Sequence, residues 1–110
     1  MNITVKARHM NATDSIREYV ESKTSKLERF YANIRSLDVI LGIEADQAVV
    51  EIVATAAKKH TFVATCRAQD MYACIDQCMD KIKEQVRRHK DRVRDRQGPP
   101  HSESMTPGPE

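Results

Sequence analysis

Cys74 and Cys78 stand one helical turn apart, a spacing that would present two thiolates to a metal ion. That chemistry goes no further. The nearest other ligands are Cys66 and His60, and no Cys-x-x-Cys pair occurs. Three cysteines, an odd number, argue against a disulfide framework. Free cysteine commonly packs as a small hydrophobe, and that is the reading adopted here. His9, His60, His89 and His101 are scattered, with no nucleophile–base spacing around them. His89 falls about 20° from an apolar helical stripe, the place of a packing residue at a helix edge. Three glycines are too few and too dispersed for a loop that cradles phosphate. We therefore expect no enzyme, no metal and no cofactor.

The remaining chemistry is charge. The stretch DKIKEQVRRHKDRVRDR, residues 80–96, holds eight of the 18 Lys and Arg residues against four acids in 17 positions. The rest of the chain has ten bases and twelve acids, so it is slightly acidic. At about 100° per residue, measured from Ile82, the stretch sorts into faces. Ile75, Met79, Val86 and Val93 form an apolar stripe. Lys83, Arg87, Lys90 and Arg94 lie about 80–140° round one way, and Lys81, Arg88 and Arg92 about 80–120° round the other. Asp80, Glu84, Asp91 and Asp95 gather opposite the stripe. A solvated face mixes signs to gain i,i+4 pairs, and Glu84 with Arg88 is such a pair. Two rows of like charge instead repel along the helix, a cost that a bound polyanion offsets.

Elements to carry these rows are legible along the chain. NITVKAR, residues 2–8, alternates Ile3, Val5 and Ala7 with polar residues, a strand with one buried face. Thr13 or Ser15, the latter with Glu18 in a capping box, opens a helix to about Ala32. Its stripe is Ile16, Val20, Lys23, Leu27 and Tyr31, with Tyr19 and Phe30 beside it and Lys23 snorkelling at the edge. Ser36–Glu44 alternates with Leu37, Val39, Leu41 and Ile43 inward. After the short EADQ connection, Val50, Ile52 and Ala54 point in and Glu51 and Thr55 out. The next turn lacks the Gly or Asn of a two-residue hairpin, so a longer loop is expected before a strand with Phe62, Ala64 and Cys66 inside. Asp70 caps the second helix, whose stripe starts at Met71.

The order β-α-β-β-β-α predicts an α+β two-layer sandwich: a four-stranded sheet with two helices on one face. Its last three strands form an antiparallel meander, and the first joins its edge by a right-handed crossover. We expect one domain over residues 1–96 and a disordered Pro/Gly/Ser-rich tail over 97–110. With 40% apolar and 31% charged residues, and no greasy run for a leader or a membrane span, a cytoplasmic protein is expected. If the helices lie side by side, Arg17, Lys23, Lys26 and Arg29 of the first face one row of the second across a cationic groove. Few aromatics are expected to be exposed, with Tyr72 the first candidate, so the groove reads backbone shape and not stacked bases.

TDSIREYVESKTSKLERF in the first helix and QDMYACIDQCMDKIKEQVRRHKD in the second resemble the short ribosome hibernation promoting factors and ribosome-associated translation inhibitors of bacteria, also called sigma-54 modulation proteins. The resemblance covers roughly residues 1–95. It implies a fold similar to double-stranded RNA-binding domains. It also implies binding to the small ribosomal subunit and its rRNA, in the mRNA channel across the A and P sites. Translation is then blocked in stationary phase or stress, with ribosome dimerisation a further possible outcome and no small-molecule substrate or membrane involved. The family's basic positions fall on Arg17, Lys23, Lys26, Lys81, Arg88, Lys90 and Arg92, and its box on Asp70, Met71 and Tyr72. Charge geometry adds Arg29 and Arg87. The family is often basic where this chain has Glu84, and Lys83 stands beside it. A long form carries a further dimerisation domain, which is not expected here. Two other readings are kept: a protein-interaction module docking an acidic partner, and a general double-stranded RNA binder.

Overall fold

The computed structural model describes residues 2–97. The expected tail beyond Gln97 and His101 within it lie outside the described residues, as do the side chains of Lys59, Val93, Arg94, Asp95, Arg96 and Gln97. The elements are β1 (Asn2–Arg8), α1 (Asp14–Phe30), β2 (Ile34–Glu44), β3 (Gln47–Ala56), β4 (Thr61–Ala68) and α2 (Met71–Gln97). The sheet order is β1-β2-β3-β4, with β1 parallel to β2 and the other pairs antiparallel. This is the expected sandwich with its meander.

The register explains the single core. Val5, Val39, Ile52 and Ala64 lie in one row across the four strands. With their neighbours two residues away they make one apolar face, as the pleat requires. Ile16, Val20 and Leu27 of α1, and Ile75, Met79, Ile82 and Val86 of α2, close over it. Cys66, Cys74 and Cys78 are buried in the same cluster, so the cysteines are packing residues. Burial of each large side chain is worth about 1.5–3 kcal/mol, which is why the stripes dominate helix placement.

Local chemistry sets the boundaries. Of the two candidate caps for α1, Thr13 is used: its Oγ1 accepts from the Ile16 N–H at 3.2 Å. The helix stops at Phe30, and the Tyr31 N–H returns to the Leu27 carbonyl at 2.9 Å. Asp70 caps α2 as expected, accepting from the Ala73 N–H at 2.9 Å. The β2–β3 connection is tighter than its composition indicates: Ala45 and Asp46 both have positive φ, 50° and 63°. That left-handed backbone costs Ala45 about 1–2 kcal/mol relative to glycine. The β3–β4 connection is the expected longer one, a 3-10 turn over Ala57–Lys59 with Lys58 at φ 62°.

Two inward assignments and one boundary shift. Thr24, not Lys23, completes the buried stripe of α1, its hydroxyl satisfied by the Glu21 carbonyl at 3.0 Å. Lys23 snorkels at the edge as expected. Ile43 keeps the inward phase of β2 but is 40% exposed. β2 begins at Ile34, two residues early, with an irregularity in register before Ser36.

Candidate nucleic-acid interface

Helix α2 lies on β3 and β4, with α1 beside it. Its two flanks therefore meet different neighbours, and this decides where the basic rows go. The row containing Lys83 and Lys90 faces α1. Lys90 Nζ donates to the Phe30 carbonyl at 3.2 Å and sits 4.5 Å from the centre of the Phe30 ring; Lys83 Nζ is 5.6 Å from the same centre. Lys90 thus satisfies the last carbonyl of α1, where a cation also complements the helix dipole.

Further toward the start of α2 the same flank carries a polar cluster that the charge pattern did not reveal. The Tyr19 hydroxyl donates to Asp76 Oδ1 at 2.7 Å, and Lys23 Nζ lies 3.2 Å from the same oxygen. The hydrogen bond from Tyr19, helped by Lys23, holds the Asp76 carboxyl below the ordinary carboxylate range against the opposing effect of burial. The same contacts with Asp76 raise both Tyr19 and Lys23. Lys23 also stands 5.3 Å from the centre of the Tyr19 ring, and Tyr19 and Tyr72 meet edge to face at 5.0 Å. The sign of this cluster is mixed because Asp76 uses the charge of Lys23. Lys26 is close enough to Asp76 to help hold it ionised.

The second row turns the other way, and here the expectation of a single inter-helix groove is corrected. Lys81 Nζ reaches the Thr65 carbonyl of β4 at 3.4 Å, and Gln85 Nε2 reaches the Val63 carbonyl at 2.7 Å. Arg88 and Arg92 share that flank at about −120° and −80° from Ile82. Lys81 therefore borders the β4 edge, and Arg88 and Arg92 follow on the same flank, turned away from α1. His89 lies between this flank and the core, stacked on His60 with ring centres 4.1 Å apart and edge-on to Phe62. It is the packing residue expected of it.

Between the flanks, Glu84 accepts from Arg87 Nη2 at 2.5 Å and from Arg88 Nε at 3.2 Å, while Arg87 Nη1 reaches Asp91 at 3.1 Å. Arg87 is the main reason the Glu84 carboxyl is held below its usual range, with Arg88 assisting. Lys81, Lys83 and Arg92 are exposed and form no ion pair with a described residue. On α1, Lys26 borders the inter-helix seam. Arg29 is exposed on the outward side, and Arg17 lies about 60° round the flank away from α2, so neither enters the groove. Within the box, Asp70 is the cap, Met71 packs half-buried against the core and Tyr72 is 37% exposed.

Residues 3–94 match the family described as Sigma 54 modulation protein / S30EA ribosomal protein. The ribosome hibernation promoting factor of Azotobacter vinelandii is 34% identical over 97 residues, covering 88% of this chain and 90% of the relative. That of Escherichia coli strain K12 is 30% identical over 98 residues, covering 86% and 98%. Among solved structures, the N-terminal domain of Thermus thermophilus Protein Y is similar with a TM-score of 0.73 at 32% identity, covering 81% of this chain and 99% of that one. A ribosomal subunit interface protein from Coxiella burnetii gives 0.78 at 22% identity over 83% and 99%, a likeness of fold. With a family match spanning both helices and all four strands, the chain belongs to the sigma 54 modulation protein / S30EA ribosomal protein family.

Proposed function

We propose that the protein is a ribosome hibernation factor that binds the small ribosomal subunit in the mRNA channel, across the A and P sites, and blocks translation sterically in stationary phase or stress. It acts by binding and not by catalysis, as its family does. The relatives named for ribosome hibernation support the ribosome as partner. The observation that carries the mechanism is the split of exposed cations between opposite flanks of α2: Lys83 toward α1, and Lys81, which reaches β4, with Arg88 and Arg92 on the other. A duplex resting in a groove meets one side of a helix. A cleft with RNA on both walls meets both, and a cationic ridge on a rigid sandwich fits that shape. Phosphate neutralisation then supplies most of the affinity.

Co-sedimentation with purified small subunits tests this. Lys81→Glu combined with Arg88→Glu is expected to abolish binding while leaving thermal unfolding cooperative, since both side chains lie outside the core. Continued co-sedimentation of the doubly reversed protein refutes a role for the β4 flank. Pull-down after RNase treatment addresses the partner's class: a ribosomal target is lost with its rRNA, whereas an acidic protein partner is retained.

A further inference from the structure

Tyr72 is the exposed phenyl-type ring among the described residues; Tyr19, Phe30 and Tyr31 are half-buried and Phe62 is buried. Its ring is held by a chain of contacts and does not hang free. Tyr19 meets it edge to face, and Tyr19 is itself fixed by its hydrogen bond to Asp76 and by Lys23 against its ring. A ring pre-set in this way loses little rotamer freedom when something lies against it.

Its position along α2 gives it a context. At about 100° per residue, Tyr72, Lys83 and Lys90 fall within about 20° of one another on the α1 flank. Tyr72 stands about 16 Å along the axis from Lys83 and about 27 Å from Lys90. One flat apolar surface is therefore in line with ammonium groups, and Lys26 borders the same seam from α1. Single-stranded nucleic acid asks for these two things together: cations for its phosphates and a ring for a base.

We propose that Tyr72 stacks an unpaired RNA base, while Lys83 and Lys26 neutralise phosphates of the same strand. The proposal rests on the RNA-binding reading above and deepens it, because it adds a contact to a base where the charge pattern offers only contacts to phosphate. The stack is sequence-tolerant, since every base has a π-face. It makes Tyr72 a binding residue, in contrast to its box neighbours Asp70, a cap, and Met71, a packing residue.

The chain contains no tryptophan, so Tyr72→Trp introduces a single emission reporter at the site. This variant is titrated with an oligouridylate of about eight nucleotides, within the length such surfaces accommodate. Inorganic polyphosphate of matched charge serves as the control. Quenching by the oligouridylate and little change with polyphosphate is the expected result. In parallel, Tyr72→Leu is expected to weaken binding to the oligouridylate and to small subunits by about five- to a hundredfold, the worth of one base–aromatic stack. Its affinity for polyphosphate should not change. Tyr72→Phe, which keeps the ring, should bind like the parent; if it does and Tyr72→Leu does not at equal thermal stability, the ring is the cause. Equal quenching by both polyanions, absence of quenching by the oligouridylate, or parental subunit binding by Tyr72→Leu overturns the stack. Lys83→Glu separates the two levels. If it loses subunit binding while Tyr72→Leu keeps it, the stack is wrong and the RNA reading stands; if Lys83→Glu and Tyr72→Leu both bind normally, the stack is wrong, and the RNA reading falls with it only if Lys81→Glu combined with Arg88→Glu also binds normally.

Discussion

Glu84 is the most direct place to test whether the exposed guanidinium groups act on phosphate. Its carboxylate is shared by Arg87 and Arg88, so two bases of α2 face an internal anion before any RNA arrives. Glu84→Gln keeps the side-chain shape and removes that charge. Arg87 still has Asp91 at 3.1 Å, whereas Arg88 pairs with Glu84. The substitution should therefore release one further phosphate contact, through Arg88. For a surface making about six such contacts, affinity falls on the order of a thousandfold between 50 and 200 mM salt. One extra contact steepens the slope of log K against log salt by about 0.9, and enlarges that fall by a further factor of about 3.5. Binding of labelled protein to small subunits, followed by anisotropy at several salt concentrations, measures the slope directly. A steeper slope with tighter binding at the lowest salt is expected. An unchanged slope, or weaker binding at low salt, would mean that Glu84 orients the arginines for another purpose, and would remove Arg88 from the interface.

Two further outcomes follow from buried and paired groups. Burial pushes the Cys78 thiol up to about 12 and raises Cys74 in the same direction. Reaction of the native protein with an aromatic disulfide reagent at neutral pH should therefore be slow, and should accelerate in step with global unfolding in urea; rapid modification of the folded protein would contradict the packing. The Asp76 carboxyl is depressed, so its stabilising contribution is complete above the ordinary carboxylate range and is lost as pH falls through the lowered value. Lys23 and Tyr19 are raised, so theirs is present below their ordinary values and is lost as pH rises past the raised ones. Urea melts of parent and Asp76→Asn should differ across neutral pH and converge in acid, and a difference that persists in acid would place the effect elsewhere.

The fold was readable because strand alternation and helix periodicity pointed to one buried surface. Leu37, Val39 and Leu41 had to face the same way as Val50, Ile52 and Ala54 for either set to be covered, and they do. The discrepancies arise where cover or cap competes with periodicity. Ile43 has the right phase, but it lies at the hairpin end of β2, where its neighbour Glu44 meets the turn, and it keeps 40% of its surface. Thr24 displaces Lys23 from the stripe because a short side chain can bond its own helix backbone while an ammonium group cannot be buried there. The interface was harder to read for a different reason. A helical wheel ranks residues by angle from the buried stripe but carries no information about which neighbour lies on either side. That Lys83 and Lys90 meet α1 while Lys81 meets β4 follows from packing alone. Asp76 escaped notice because its partners, Tyr19 and Lys23, are more than fifty positions away in sequence.

Lys81 and Gln85 close off carbonyl groups of β4 that would otherwise be available to a foreign strand. Sheet growth by backbone pairing is thereby confined to the opposite margin, along Asn2–Arg8, where Lys6 and Arg8 stand as polar sentries against casual stacking of copies. To extend the sheet, a second copy would have to approach along that margin, past an ammonium and a guanidinium group.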